Sequence, residues 1–248
     1  MFSNPFTPES QKAKKSLFKK EAKGFILSKE VSAVTEKIIA DNDPNFLVKY
    51  DNYEIKRSQA EFLYALEKQM VKDWPSQVPI DLNHARNLLL KLFNKNEIIV
   101  SASGDIETLN LGVLNLKALP AQIGKLTHLQ ILYCHSNSLR SLPEQIGKLV
   151  SLKIINLANN ELEALPKQIG NLHNLKELIC TQNELNKLPE EISQLVNLQK
   201  LFCAYNNISV LPKHIGKLKH LVKLEFYLNK LSNAQKEEIK KLFPFAQV

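Results

Sequence analysis

Three cysteines and six histidines are the residues of this chain best suited to nucleophilic, redox or metal chemistry, and their spacing decides whether they do any. A catalytic or metal-binding thiol needs a polar, partly open site that favours the thiolate. Cys134, Cys180 and Cys203 are instead separated by 46 and by 23 residues and share one slot of a recurring pattern with Leu157 and Phe226. That slot is the second inward position of a short strand, so the three are expected as buried core thiols. An odd number of cysteines in a chain this long does not suggest a disulfide framework. His128 and His220 share another slot, His173 falls one residue before it, and all three are expected as exposed polar positions. His135 belongs to an outward strand position, and no Ser-His-Asp or Glu constellation can be read around it. No phosphate-binding glycine loop and no zinc-binding HExxH motif occurs. No catalytic residue, metal ligand or cofactor site is therefore assigned. The reading is non-enzymatic, and any enzymatic activity would have to reside in residues 1–80.

The slots exist because the chain repeats. Leu-Pro recurs at Leu119, Leu142, Leu165, Leu188 and Leu211, always 23 residues apart. Ile123, Ile146, Ile169, Ile192 and Ile215 follow in register, and then Gly124, Gly147, Gly170 and Gly216, with Ser193 as the exception. Asn137, Asn160, Asn183, Asn206 and Asn229 keep the same period. A fixed period of this length marks a solenoid whose units cannot bury their apolar faces alone. In Ile155-Asn156-Leu157 the period is two, so the apolar side chains face inward and Asn156 faces out. One short strand per unit, stacked coil on coil, makes a parallel sheet with strands ~4.8 Å apart. Each periodic asparagine can donate and accept at once, tying backbone groups of its own coil to those of the next. Leu-Pro keeps the return path from becoming helical, and glycine is expected to relax the backbone at the convex turn.

The unit LPxxIGxLxxLxxLxLxxNxLxx resembles the 23-residue repeat of bacterial leucine-rich repeat proteins, and LNKLSNAQKEEIKKLFP (228–244) is similar to their closing repeat and helix. The resemblance covers roughly residues 105–248. It implies an α/β fold: a right-handed leucine-rich-repeat solenoid with a parallel β-sheet on its concave face, capped by helices. A mainly helical N-terminal region precedes it. Some bacterial effectors join such repeats to a separate catalytic-cysteine domain, but no cysteine here lies outside the repeats.

Four segments follow. Residues 1–80 form the N-terminal region, with helices expected over 9–25, 28–40 and 58–72, a strand at 46–50 and a linker at 74–79. Residues 81–104 form an N-terminal capping segment, a helix opening on Asp81 and covering the first coil. Residues 105–233 hold the five full repeats and a degenerate first one, in which Leu114 stands at the asparagine position. Residues 234–248 are assigned to a C-terminal capping helix, whose polar-faced run reads from Ser232 to Leu242.

The net charge is +8 with a pI near 9.2. Half of the excess lies in residues 1–24, where six lysines face Glu9 and Glu21. That arm reads as a solvated helix face, with peripheral contact of residues 9–25 to an anionic membrane as the alternative. No apolar run reaches the ~18 residues of a membrane helix. The N-terminus lacks an ordinary secretory signal. A cytoplasmic location is expected, the alternative being export without a classical signal peptide, as a bacterial effector whose repeats choose a target while the N-terminal region acts.

Function in a solenoid lies in the outward strand positions. The candidate partner-binding residues are Ile131, Tyr133, His135, Ile154, Asn156, Ile179, Lys200, Phe202, Tyr205, Lys223, Glu225, Tyr227 and Leu228. Aromatic and aliphatic groups dominate, which suits capture of another protein. Charges on this face are few and of both signs, which argues against nucleic acid there. The same face could instead be covered by the chain's own N-terminal helices or by a second copy.

Overall fold

The computed structural model describes residues 47–50, 53–73 and 97–248, together with Ala85, Leu88, Leu89, Lys91 and Leu92, which are helical. The helices expected over 9–25 and 28–40, the 74–79 linker and the Asp81 cap lie outside the described residues.

Strand β1 (Leu47–Tyr50) pairs antiparallel with β2 (Tyr53–Lys56), and α1 (Arg57–Asp73) follows directly. Only the first of these two strands is legible as a strand in the sequence. The expected helix at 58–72 is α1, and its apolar stripe of Phe62, Leu63, Leu66 and Met70 is buried. Then come β3 (Ile98–Val100), β4 (Ile106–Asn110), β5 (Ile131–Tyr133), β6 (Ile154–Asn156), β7 (Glu177–Ile179), β8 (Lys200–Phe202) and β9 (Lys223–Glu225). These seven form one sheet in chain order. From β4 to β9 every pair is parallel and in register at one repeat, as in Ile155 with Leu178 and Leu178 with Leu201. β3 runs antiparallel to β4, a bulge following Ile99, and closes the N-terminal edge of the sheet.

Each return path holds a 3-10 turn, at Ala121–Lys125, Glu144–Lys148, Lys167–Asn171, Glu190–Gln194 and Ile215–Lys217. In the first four, the proline before the turn holds φ near −66° with extended ψ, and the turn closes through Ile123, Ile146, Ile169 and Ile192. The glycines of these turns have a different role from the one expected. None of Gly124, Gly147, Gly170 or Gly216 has positive φ. Space is the reason: a Cβ on Gly147 would stand 2.6 Å from the Gln168 carbonyl oxygen of the next coil, and one on Gly170 equally close to that of Glu191. Ser193 fits one coil later, where its hydroxyl donates to the Glu190 carbonyl at 2.8 Å.

Between turns and sheet runs a column of fully buried Leu, Ile, Cys and Phe side chains. The asparagines stitch the coils along its edge. Asn160 Oδ1 accepts from Leu139 N–H at 3.0 Å, while its Nδ2 donates to the carbonyls of Cys134 at 3.0 Å and Leu157 at 2.9 Å. Asn137, Asn183, Asn206 and Asn229 repeat this pattern coil after coil. In the first coil the N–H groups of Leu114 and Leu116 both go to Asn137 Oδ1, and Leu114 itself is buried.

The N-terminal cap is larger than a segment beginning at residue 81. Ile55, Phe62, Leu63, Leu66 and Met70 share one continuous core with the repeats. Asp105, buried at the mouth of β4, accepts from Lys56 Nζ at 2.7 Å, Gln59 Nε2 at 2.6 Å and Ser103 Oγ at 2.9 Å. Gln59 Oε1 in turn accepts from Ile106 N–H. At the other end of α1, Asp73 accepts from Lys117 N–H at 2.7 Å. Burial pushes the Asp105 carboxyl up, but the Lys56 and Ser103 hydrogen bonds and the His128 and Lys56 charges outweigh it and leave its pKa below the ordinary value.

At the far end, α2 (Asn233–Leu242) opens with a capping box in which Ser232 and Gln235 satisfy each other's backbone N–H. The helix ends at Leu242, as the polar-faced run from Ser232 to Leu242 leads one to expect, because Pro244 forces Phe243 out of helical geometry (φ −138°, ψ 85°). The tail returns to the sheet. Gln247 N–H donates to Leu224 O, and Phe226 N–H donates to Gln247 O at 2.6 Å, covering the free edge of β9.

Candidate functional site

Alternation along each strand sends one side chain in and the next out, so the outward slots of β5–β9 line up into columns across the concave face. At strand starts stand Ile131, Ile154, Glu177, Lys200 and Lys223, half-buried except for the exposed Lys223. At strand ends stand Tyr133, Asn156, Ile179, Phe202 and Glu225. All of these but Asn156 are half-buried.

Asn156 is a correction. It is 4% exposed and therefore not offered to a partner. Its Oδ1 accepts from Ala158 N–H at 3.0 Å, a local turn that folds the carboxamide back onto the chain. Asn110, two coils earlier, makes the same bond to Gly112. Ala158 and Ala204, also outward by spacing, are buried. His135 is half-buried and rests on the first coil, where a Cβ at Gly112 would stand 2.6 Å from its ring.

The charges of the face neutralise one another. Lys200 Nζ lies 3.1 Å from Glu177, and Lys223 Nζ lies 3.1 Å from Glu225. Lys223 also sits 5.0 Å from the centre of the Phe202 ring, a cation–π contact. Tyr205 and Tyr227 meet edge to face with ring centres 5.5 Å apart. Burial, with help from Glu225 and Tyr205, raises the Tyr227 phenol further above its already high pKa.

Spacing marks one further column as outward but does not show its backbone. The residue before each ladder asparagine has left-handed backbone: Ser136, Asn159, Gln182, Tyr205 and Leu228 all have φ of 54–56°. Val113 occupies this place in the first coil, with φ 65°. Asparagine adopts such geometry readily, whereas bulkier side chains are held there at a cost of about 1–2 kcal/mol. Asn159 beside Asn160 was the available sequence signal. Tyr205 and Leu228 combine this backbone with exposures of 47% and 61%, an apolar pair standing proud of the sheet at its C-terminal end.

Elsewhere, Cys134, Cys180 and Cys203 are buried, and His173 and His220 are exposed. His128 Nδ1 lies 3.1 Å from Asp105 with its side chain 59% exposed. No helix among the described residues is long and apolar enough to cross a membrane.

A family model described as a leucine-rich repeat region matches residues 106–182 and 144–243. No curated protein sequence matches. Among solved structures, a leucine-rich repeat protein of Leptospira interrogans is 38% identical over 50% of this chain and 38% of its own, with a TM-score of 0.43. The leucine-rich repeat ectodomain of the Arabidopsis thaliana receptor kinase GASSHO1/SCHENGEN3, solved with CASPARIAN STRIP INTEGRITY FACTOR 2, is 35% identical over 46% of this chain and 14% of its own (TM-score 0.43). The PEPR1–AtPEP1 structure is 27% identical over 70% of this chain and 25% of its own (TM-score 0.55). The chain thus spans well under half the length of each. The family match covers more than half of the 248 residues and coincides with the stacked coils, so the chain belongs to the leucine-rich repeat proteins.

Proposed function

We propose that the chain is a non-enzymatic recognition module that binds a partner protein on its concave face, anchored at the C-terminal end of the sheet. The leucine-rich repeat fold is that of a protein-interaction module in general, and the paired charges of this face leave apolar contact as its main source of affinity. The observation that carries the anchor is the side-chain choice at the left-handed column. Three coils place Ser136, Asn159 and Gln182 there, while the last two hold Tyr205 and Leu228, exposed and on backbone that disfavours them. Folding gains little from Leu228 and, from Tyr205, the edge contact with Tyr227 alone, and partner contact supplies a reason to hold them.

The test separates binding from stability. Leu228→Asn relieves backbone strain without removing a buried contact, so its Tm should hold or rise. Tyr205→Asn should be near neutral, because relief offsets the lost stacking on Tyr227. Together they should abolish cross-linked capture of the partner from the native extract. Undiminished capture by the double variant would refute the anchor.

A further inference from the structure

Cys180 and Cys203 follow β7 and β8 directly and are equivalent by the 23-residue period. The preceding pair, Ile179 and Phe202, is in parallel register, and Cys180 N–H continues the ladder to Phe202 O at 2.8 Å. Both side chains therefore point into the core side by side, and their Sγ atoms lie 3.0 Å apart. Neighbouring strands at ~4.8 Å fall within the Cα separation a disulfide spans, and the sulfurs need close by only about 1 Å to reach bonding distance. Cys134 is the internal control. It occupies the same slot, but the adjacent coils place Leu111 and Leu157 beside it, so it has no sulfur to meet.

We propose that Cys180 and Cys203 form an oxidation site of the solenoid, remaining a dithiol in a reducing compartment and closing to an inter-coil disulfide under a peroxide oxidant. One sulfur attacks a peroxide oxygen, the O–O bond breaks, and a sulfenic acid and one water result. The second sulfur then attacks the sulfenic sulfur, the S–S bond forms, the S–O bond breaks and a second water leaves. Two thiols and one hydrogen peroxide become one disulfide and two waters, the two electrons passing from sulfur to oxygen. Full burial, together with the neighbouring Cys180 thiol, raises the Cys203 pKa well above its ordinary value, so reaction proceeds through local opening of the coil and is slow. The bond would lock the third full coil to the fourth, directly beneath Phe202 and Tyr205.

The test uses the full chain treated with hydrogen peroxide while folded, then unfolded, alkylated and digested with trypsin without reduction. The expected product joins the peptides 177–187 and 201–213 at two hydrogens less than their summed mass, with Cys134 recovered alkylated. Tm should rise by about 5–10 °C on oxidation. Cys203→Ala should show no oxidation-dependent rise, whereas Cys134→Ala should keep it. Recovery of Cys180 and Cys203 as free thiols or sulfinic acids would overturn the proposal, as would cross-linking to Cys134 at comparable yield. A linked pair with unchanged or lowered Tm would equally overturn it, since the geometry requires little strain.

Discussion

Single residues separate the periodic positions by what each one satisfies. Asn183 is buried and bonds to Leu162 N–H and to the carbonyls of Leu157 and Cys180, so truncation strands groups in two coils. Asn183→Ala is expected to destabilise by roughly 1–3 kcal/mol, read by urea denaturation. The glycines offer a sharper contrast. A methyl on Gly147 meets the backbone carbonyl of Gln168, which cannot move aside, whereas one on Gly216 meets only the end of the Leu242 side chain at 3.3 Å. Gly147→Ala should cost about 1–3 kcal/mol and Gly216→Ala much less, measured side by side as shifts in urea midpoint. The asparagine column was readable from sequence because period and hydrogen-bonding capacity both pointed to it. The role of the glycines was not, because a residue's spacing does not distinguish freedom of φ from lack of room. The burial of Asn156 was hidden for a related reason: alternation gives the direction of a side chain but not the turn that follows it.

Among the elements, the strands and turns of the repeats follow from the 23-residue pattern and α2 from the polar-faced run ending at Leu242, while the contacts that seal each end lie outside any pattern. At the N-terminal end, α1 is legible from Phe62, Leu63, Leu66 and Met70, but its docking on the first coil depends on Gln59, Asp73 and Asp105, polar residues with no periodic signature. Asp105 makes this junction pH-dependent. Its folded pKa lies below the unfolded value, so its stabilisation is present above an unfolded pKa of about 3.9 and is lost as pH falls through the lower folded one. Urea midpoints taken at pH 6 and near pH 3 should therefore fall further in the wild type than in Asp105→Asn, which lacks this titration. At the C-terminal end, Pro244 is the sequence signal that stops α2. Nothing local announces that Gln247 then pairs with β9. Deleting residues 244–248 should expose the β9 edge and promote self-association, visible by size-exclusion chromatography with light scattering.

At the scale of the whole molecule, a column of equivalent coils gives a regular surface whose chemistry is set by the substituted slots. The fold of the repeats was almost wholly legible, since each repeat states the same instructions again. The face was legible only in outline: spacing selects Tyr133, Phe202 and Tyr227 as outward, but it could not show that neighbouring charges pair off or that Tyr205 and Leu228 are held on left-handed backbone. That surface is the centre of the account, and site-specific photo-cross-linking tests it most directly. A photoreactive residue at Tyr133, Phe202 or Tyr227 should capture the partner, while one at Lys167 or Lys213 on the opposite side should not. Capture from Lys167 or Lys213, with none from the concave positions, would contradict it.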